Sequence, residues 1–195
     1  MIDLKQETET FIKHLKRGEI ILYPTDTVWG LGCDATNSEA VNRINELKKR
    51  NDSKSLICLV SDFKMLQQYV EDVPEVAYDI LKYSDKPTTI IYEKPIRVAE
   101  NIIAPDNTLG IRVVRNPFLN KLLKKFKKPI VSTSANFSDQ PTPSKFEEID
   151  PNLIKLVDYI SKAPDISKLK KSSTIIKISN DSSVKIIRKW YLTKP

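Results

Sequence analysis

The stretch that most constrains this chain runs from Gly18 to Gly32, reading Gly-Glu-Ile-Ile-Leu-Tyr-Pro-Thr-Asp-Thr-Val-Trp-Gly-Leu-Gly. An apolar run from Ile20 to Tyr23, opened by a glycine and closed by Pro24, predicts a short buried strand. Thr25, Asp26 and Thr27 then set three short polar side chains at its carboxyl end, where ligands gather in α/β sheets. Gly30 and Gly32 flank Leu31 and remove side-chain bulk nearby. Two readings fit this segment: a polar turn with packing glycines, or a ligand-binding loop.

The residues that follow weigh on that choice. Thr36-Asn37-Ser38 supplies small polar residues suited to capping a helix, and Ala40, Val41, Ile44 and Leu47 recur at helical spacing. The helix is expected to close on Lys48, Lys49 and Arg50, cations that complement a helix dipole at its carboxyl end. Lys54 comes shortly after, ahead of the apolar run Leu56 to Val60. Gathering these cations at one strand end costs self-repulsion unless an anion such as a polyphosphate visits them.

Composition narrows the chemistry. The 195 residues suffice for one domain with a substantial core, and the net charge of +7 points to anionic partners, nucleotide or nucleic acid. Only four glycines are present, so neither a Walker loop nor a dinucleotide fingerprint can be assembled. The single histidine, His14, lies in the first amphipathic segment with no partner nearby in sequence. It reads as a surface or boundary residue, which argues against histidine-based hydrolysis or a histidine-rich metal site. Cys33 and Cys58 sit among apolar residues without disulfide or zinc spacing and are expected to be buried thiols. The first residues lack the apolar core of a signal peptide, and no stretch has the length to cross a bilayer. A cytoplasmic location with no membrane partner is the expectation.

Further along, residues 3 to 17 predict a helix with Leu4, Phe11, Ile12 and Leu15 as its apolar stripe. Ser61-Asp62 caps a helix carrying Met65, Leu66 and Tyr69, Pro74 opens another, and Thr88 to Tyr92 reads as a strand. Residues 94 to 107 read as a loop. Thr108 to Val114 predicts a strand containing Arg112 among apolar neighbours; a buried guanidinium needs a counter-anion, either an internal carboxylate or a substrate carboxylate. Asn116-Pro117 starts a helix with Leu119, Leu122, Leu123 and Phe126 on one face and lysines, from Lys121 to Lys128, on the other. That lysine face is either solvated surface or an RNA contact. Pro129 to Val131 enters a strand, and Ser132-Thr-Ser-Ala-Asn136 leaves it as a hydroxyl-lined loop. Ser144-Lys-Phe-Glu147 has capping-box spacing and predicts a helix start. Ser173 to Ile178 and Val184 to Arg188 are the last two strand-like runs.

Taken in order, these motifs resemble the Sua5/YciO/YrdC family of threonylcarbamoyl-AMP synthases. The likeness runs from about Gly18 to Arg188. Its carriers are Pro-Thr-Asp-Thr-Val-Trp-Gly-Leu-Gly at 24 to 32, Lys-x-Arg at Lys48 and Arg50, and Thr-x-x-x-Arg at Thr108 and Arg112. Ser-x-Asn at Ser134 and Asn136 and Ser-Thr at Ser173 and Thr174 complete them. The resemblance implies an α/β fold: one domain over residues 1–195, a twisted mixed sheet with helices packed around it and a basic concave face. It also implies formation of threonylcarbamoyl-AMP and pyrophosphate from L-threonine, bicarbonate and ATP. Thr27, Arg112, Ser132 and Ser173 would hold threonine. Arg50, Lys54, Thr108, Ser134, Asn136, Thr142 and Arg188 would hold ATP, and Lys48 and Arg50 would be the catalytic pair. Mg²⁺ would arrive with ATP, bound through phosphate oxygens rather than a protein metal site. The product would pass to a tRNA threonylcarbamoyl transferase complex. The chain departs from the family pattern at Asn51, Ser55, Lys86, Asp139 and residues 167–171. A competing reading is a non-catalytic protein of the same fold that binds tRNA or double-stranded RNA or serves ribosome maturation, with RNA affinity that falls steeply with salt.

Overall fold

The computed structural model describes residues 3–48, 56–138, 140–165 and 171–189, so Arg50 and Lys54 lie outside the described residues, as do Asn51, Ser55 and Asp139. Nine strands form one mixed sheet: β1 (Ile21–Pro24), β2 (Trp29–Gly32), β3 (Ile57–Val60), β4 (Thr88–Glu93), β5 (Thr108–Val113), β6 (Ile130–Ser134), β7 (Tyr159–Ile160), β8 (Thr174–Ile178) and β9 (Val184–Arg188). Their order across the sheet is β7-β1-β2-β6-β3-β5-β4-β8-β9. The β1/β7, β3/β5 and β4/β8 pairs are parallel and the other five antiparallel.

Six α-helices accompany the sheet among the described residues: α1 (Leu4–Lys16), α2 (Ser38–Leu47), α3 (Phe63–Leu66), α4 (Glu75–Tyr83), α5 (Pro117–Phe126) and α6 (Pro151–Ile154). Their starts follow local rules. Asn37, Asp62 and Asn116 each accept a hydrogen bond from the third residue on, satisfying a backbone N–H the first helical turn leaves unpaired. Helix α5 begins with Pro117 and ends where Lys127 turns left-handed at φ 62°. Its Leu119, Leu122 and Leu123 are fully buried, each contributing roughly 1.5–3 kcal/mol of transfer free energy. Phe11 of α1 locks both helices to the sheet, edge-on to Tyr23 at 5.5 Å and to Phe118 at 6.2 Å.

Several expectations change. Trp29-Gly-Leu-Gly32 is not a turn but strand β2, the return arm of a hairpin with β1. A Cβ on Gly32 would sit 2.4 Å from the Val131 carbonyl and 2.7 Å from the Tyr23 ring, so this strand requires glycine through its neighbours. Ser132, Thr133 and Ser134 lie within β6 rather than in a loop after it. Leu4 is 44% exposed and outside the core. Helix α3 is a single turn that stops before Tyr69. At Ser144 the reciprocal carboxylate is Glu148, which receives both the backbone N–H and the hydroxyl, and only a 3₁₀ turn (Phe146–Glu148) follows. Residues 94–107 also contain a 3₁₀ turn (Glu100–Ile102). His14 has partners after all: it contacts Glu19 and stacks on the Tyr159 ring at 4.2 Å.

Candidate active site

Strand register decides which side chains share a face. Gly30 opposes Ser134, Ser132 opposes Ile57, Ile57 opposes Gly110, and Thr89 opposes Ile175, which opposes Arg188. With alternation along β5, Thr108, Gly110 and Arg112 join the same face. A cavity of about 390 Å³ opens on it, a size usual for small-ligand sites. Thr27, Arg112, Ser132, Ser134, Asn136, Thr142, Ser173 and Arg188 all line it, with Trp29, Gly30, Ser138 and Gln140. Eight candidate residues from five separate regions of the chain thus converge on one hollow. Nothing in the local sequence singled out Trp29 or Gln140. Gly30 contributes by what it lacks: a Cβ there would press on Ser132 Oγ and the Thr133 carbonyl at 3.3 Å.

Arg112 supplies the charge at the floor. Its Nη2 lies 2.9 Å from Asp26 Oδ1, with both side chains almost wholly buried. The contact is close but not aligned as a hydrogen bond, and Arg112 Nε is buried without any hydrogen-bond partner. An internal carboxylate therefore supplies the counter-charge but leaves the Nε donor unsatisfied. A buried donor left unmade costs about 1–3 kcal/mol, and an oxyanion arriving from the cavity would recover it. Asp26 and Arg112 are 86 positions apart, so no local signal paired them.

Arg188 stands at the opposite edge. Its Nε and Nη2 both donate to the Ser173 carbonyl, at 3.1 and 2.9 Å. Its pKa is lowered from the ordinary arginine value, first by burial and then by the nearby positive charge of Arg112. Two guanidinium groups that feel each other across a cavity make it a seat for anions. The Ser173 hydroxyl is held 2.8 Å from Thr89 Oγ1.

Lys48 caps the end of α2 and is completely buried. Its ammonium donates to the Ser134 carbonyl at 2.8 Å and to the Asn136 carbonyl, and lies 3.3 Å from Asn136 Oδ1. The Lys48 carbonyl in turn accepts from the Ser138 hydroxyl. Asn136 Nδ2 donates to the Phe137 and Gln140 carbonyls at 2.8 and 2.6 Å. These bonds make Lys48 a brace that shapes the loop after β6, with its charge on backbone oxygens of the cavity rim.

Thr108 lies elsewhere on the same face. It lines a second cavity of about 410 Å³, largely aliphatic, which shares Ile57 and Ile175 with the first. Its hydroxyl donates to Asp106 Oδ1 at 2.6 Å. That bond, with the Lys177 ion pair, holds the Asp106 carboxyl below its usual pKa.

The lysine face of α5 is partly neutralised. Lys124, Lys125 and Lys128 pair with Asp62, Glu9 and Asp34 at 3.9, 3.0 and 2.7 Å. Among the described residues, no group of three or more histidine, cysteine or carboxylate side chains is placed to hold a metal ion. No described helix is long and apolar enough to cross a membrane.

A family model described as "Telomere recombination", covering Sua5, YciO and YrdC proteins, matches residues 13–189. The threonylcarbamoyl-AMP synthase of Pseudoalteromonas translucida is 36% identical over 157 residues, 77% of this chain and 82% of that protein. The crystal structure of E. coli YciO superposes with a TM-score of 0.78 at 25% identity, covering 97% of this chain and 91% of that one. The P. abyssi Sua5 structure complexed with L-threonine gives a TM-score of 0.82 at 26% identity. It covers 91% of this chain and 52% of the other, so this chain spans about half of that protein's length.

Proposed function

This chain belongs to the Sua5/YciO/YrdC family, and we propose that it is an L-threonylcarbamoyladenylate synthase whose 195 residues act as one catalytic domain. The reaction converts L-threonine, bicarbonate and ATP into threonylcarbamoyl-AMP and pyrophosphate. The observation that carries the reading is the half-satisfied guanidinium of Arg112, facing a hydroxyl-lined cavity that Arg188 borders. The P. abyssi relative complexed with L-threonine supports the same choice of ligand.

In this reading the threonine carboxylate meets Arg112, with Thr27, Ser132 and Ser173 around the rest of the molecule. ATP lies along Ser134, Asn136, Thr142 and Arg188. Arg50 and Lys54 would join its phosphates from the segment outside the described residues, and Thr108 would act from the neighbouring cavity. The threonine amine, its proton released to solvent, adds to carbon dioxide, or to bicarbonate with loss of water, to form a carbamate. A carbamate oxygen then attacks the α-phosphorus and pyrophosphate departs with the P–O bonding electrons. No protein nucleophile is needed. The chain's contribution is alignment and neutralisation of charge growing on the phosphate oxygens. Arg50 does this directly, and Lys48 does it by fixing the rim. Mg²⁺ would come with ATP and offset phosphate charge, and a cavity of hydroxyls, amides and guanidinium groups leaves its ligands to the nucleotide. The product would then be used by a tRNA threonylcarbamoyl transferase complex.

The test is pyrophosphate release from ATP and bicarbonate, with threonine present or omitted, in wild type and in Arg112→Lys. Lysine keeps the charge for Asp26 but lacks the planar fork. A lost charge-assisted hydrogen bond of about 1.5–3 kcal/mol corresponds to roughly a 10- to 150-fold drop in kcat/KM. Threonine-independent release in wild type, or an unaltered variant, would refute the assignment.

A further inference from the structure

The two guanidinium groups of the cavity differ in what stands behind them. Arg112 has a counter-carboxylate: Asp26 Oδ1 lies 2.9 Å from its Nη2, and both side chains are almost wholly buried. Asp26 Oδ2 is held in turn by the backbone N–H of Arg115 at 3.4 Å, which ties the β1–β2 turn to the residues just after β5. Arg188 has no carboxylate partner among the described residues; its Nε and Nη2 donate to the neutral Ser173 carbonyl. Asp26 itself stands outside the residues that line the cavity, so a ligand meets its charge and not its oxygens.

We infer that Asp26 is a specificity-determining residue: it brings the Arg112 end of the cavity close to neutral while the Arg188 end stays positive, and so sorts amino acid from phosphate. This deepens the reading of the cavity as a seat for an amino acid beside a nucleotide, and rests on it. A zwitterion such as L-threonine carries no net charge, and its carboxylate can still take the hydrogen bond that the unpartnered Arg112 Nε offers. A phosphate chain carries several negative charges, and each is opposed by the carboxylate behind Arg112. Removing that one fixed charge therefore helps a ligand in proportion to the charge it carries.

The two cations share one hollow. The pKa of Arg188 is lowered first by burial and then by the charge of Arg112, so each feels the other. Both present only donors, and donors alone do not tell a carboxylate from a phosphate. Without Asp26 they would offer two like seats for phosphate oxygens, and the triphosphate, or the pyrophosphate it leaves, would compete for the place of the amino acid. Asp26 breaks that likeness from behind Arg112 and touches no ligand.

Binding of L-threonine and of pyrophosphate is measured separately by calorimetry, without magnesium and at fixed ionic strength. Asp26→Asn keeps the shape and removes the charge. It should bind pyrophosphate about tenfold more tightly and L-threonine within about threefold of wild type, since a fixed charge acts mainly on the ligand with net charge. Pyrophosphate should also compete with L-threonine in this variant, which in wild type it does not. Asp26→Asn combined with Arg112→Gln removes both charges, and pyrophosphate affinity should return to within about twofold of wild type. A purely structural role for Asp26 would not reverse in this way. Asp26→Glu keeps the charge and should match wild type for pyrophosphate. Should Asp26→Asn fail to fold, Asp26→Ser makes room for water beside Arg112 and carries the same expectation. Unchanged or weaker pyrophosphate binding in the variant that removes the charge overturns the inference alone. So does an equal gain for L-threonine, a double variant as tight as the single one, or a glutamate variant that gains like the asparagine one. A wild-type protein that does not bind L-threonine overturns the proposed function and this inference together.

Discussion

Replacing Lys48 with methionine tests whether a buried cation holds the cavity rim in shape. Methionine matches the length of the lysine stem but ends in a group that donates nothing. The Asn136 carbonyl would lose its bond to the ammonium, and the Ser134 carbonyl would lose a 2.8 Å charge-assisted bond. The Ser134 carbonyl keeps one partner, the backbone N–H of Asn136 at 2.9 Å. An orphaned carbonyl costs about 1–3 kcal/mol and a lost charge-assisted bond about 1.5–3 kcal/mol, while removing a buried ammonium returns part of its desolvation cost. The balance is a destabilisation of about 2–4 kcal/mol. For a chain of this size that corresponds to a fall in Tm of roughly 4–16 °C. Urea unfolding reads the global loss, and hydrogen exchange at Ala135 to Phe137 reads the local one. Coupling to Asn136→Leu should be non-additive, because both variants break one network. A Lys48→Met protein that loses under about 1 kcal/mol, with unchanged amide protection in that loop, would refute the brace.

Gly32→Ala should cost about 3 kcal/mol or more, since the added carbon meets backbone and a buried ring, and thermal denaturation measures it. Glu7→Ala should cost about 2–4 kcal/mol in urea, because it strands the Tyr159 hydroxyl, the Ser161 hydroxyl and the Lys162 N–H that its carboxylate now accepts. Burial raises the pKa of both thiols, so neither Cys33 nor Cys58 should react with a thiol reagent at pH 8 until urea unfolds the chain; prompt labelling of the native protein would contradict their placement. Burial likewise raises the phenols of Tyr23 and Tyr92. The folded state keeps protons that the unfolded chain releases above about pH 8.5 for cysteine and pH 10 for tyrosine, so stability should fall as pH rises through that range. Urea midpoints at pH 7, 9 and 10.5 check the sign, and a flat profile would contradict it.

Much of the frame could be read from local pattern. Strands β1, β3, β4, β5, β8 and β9 announce themselves as short apolar or β-branched runs, and α2 and α5 combine helical spacing with an asparagine cap. Strand β2 hid because its two glycines look like turn residues. Their need arises from the Val131 carbonyl and the Tyr23 ring, which no local window contains. The two-residue strand β7 is too short for any periodicity. At the site, chemical type was legible but pairing was not: Arg112 called for an anion, yet only the fold brings Asp26 to it. The cations of residues 48–50 looked like one cluster at a helix end, whereas Lys48 turns inward onto backbone oxygens. Most ligand assignments came from the ordered motifs of a family, and the shared face of the sheet explains how residues so far apart come to act together.

The cavity draws Thr27 from near the start of the chain and Ser173 and Arg188 from near its end, with β6 between them. A sheet that interleaves early and late strands must close before any ligand has a complete seat, so slow, long-range pairing precedes binding. Occupancy is then a report on the whole molecule: a substrate that binds only the finished assembly should raise its melting temperature with concentration, and fragments cut between β5 and β6 should recognise nothing until they recombine.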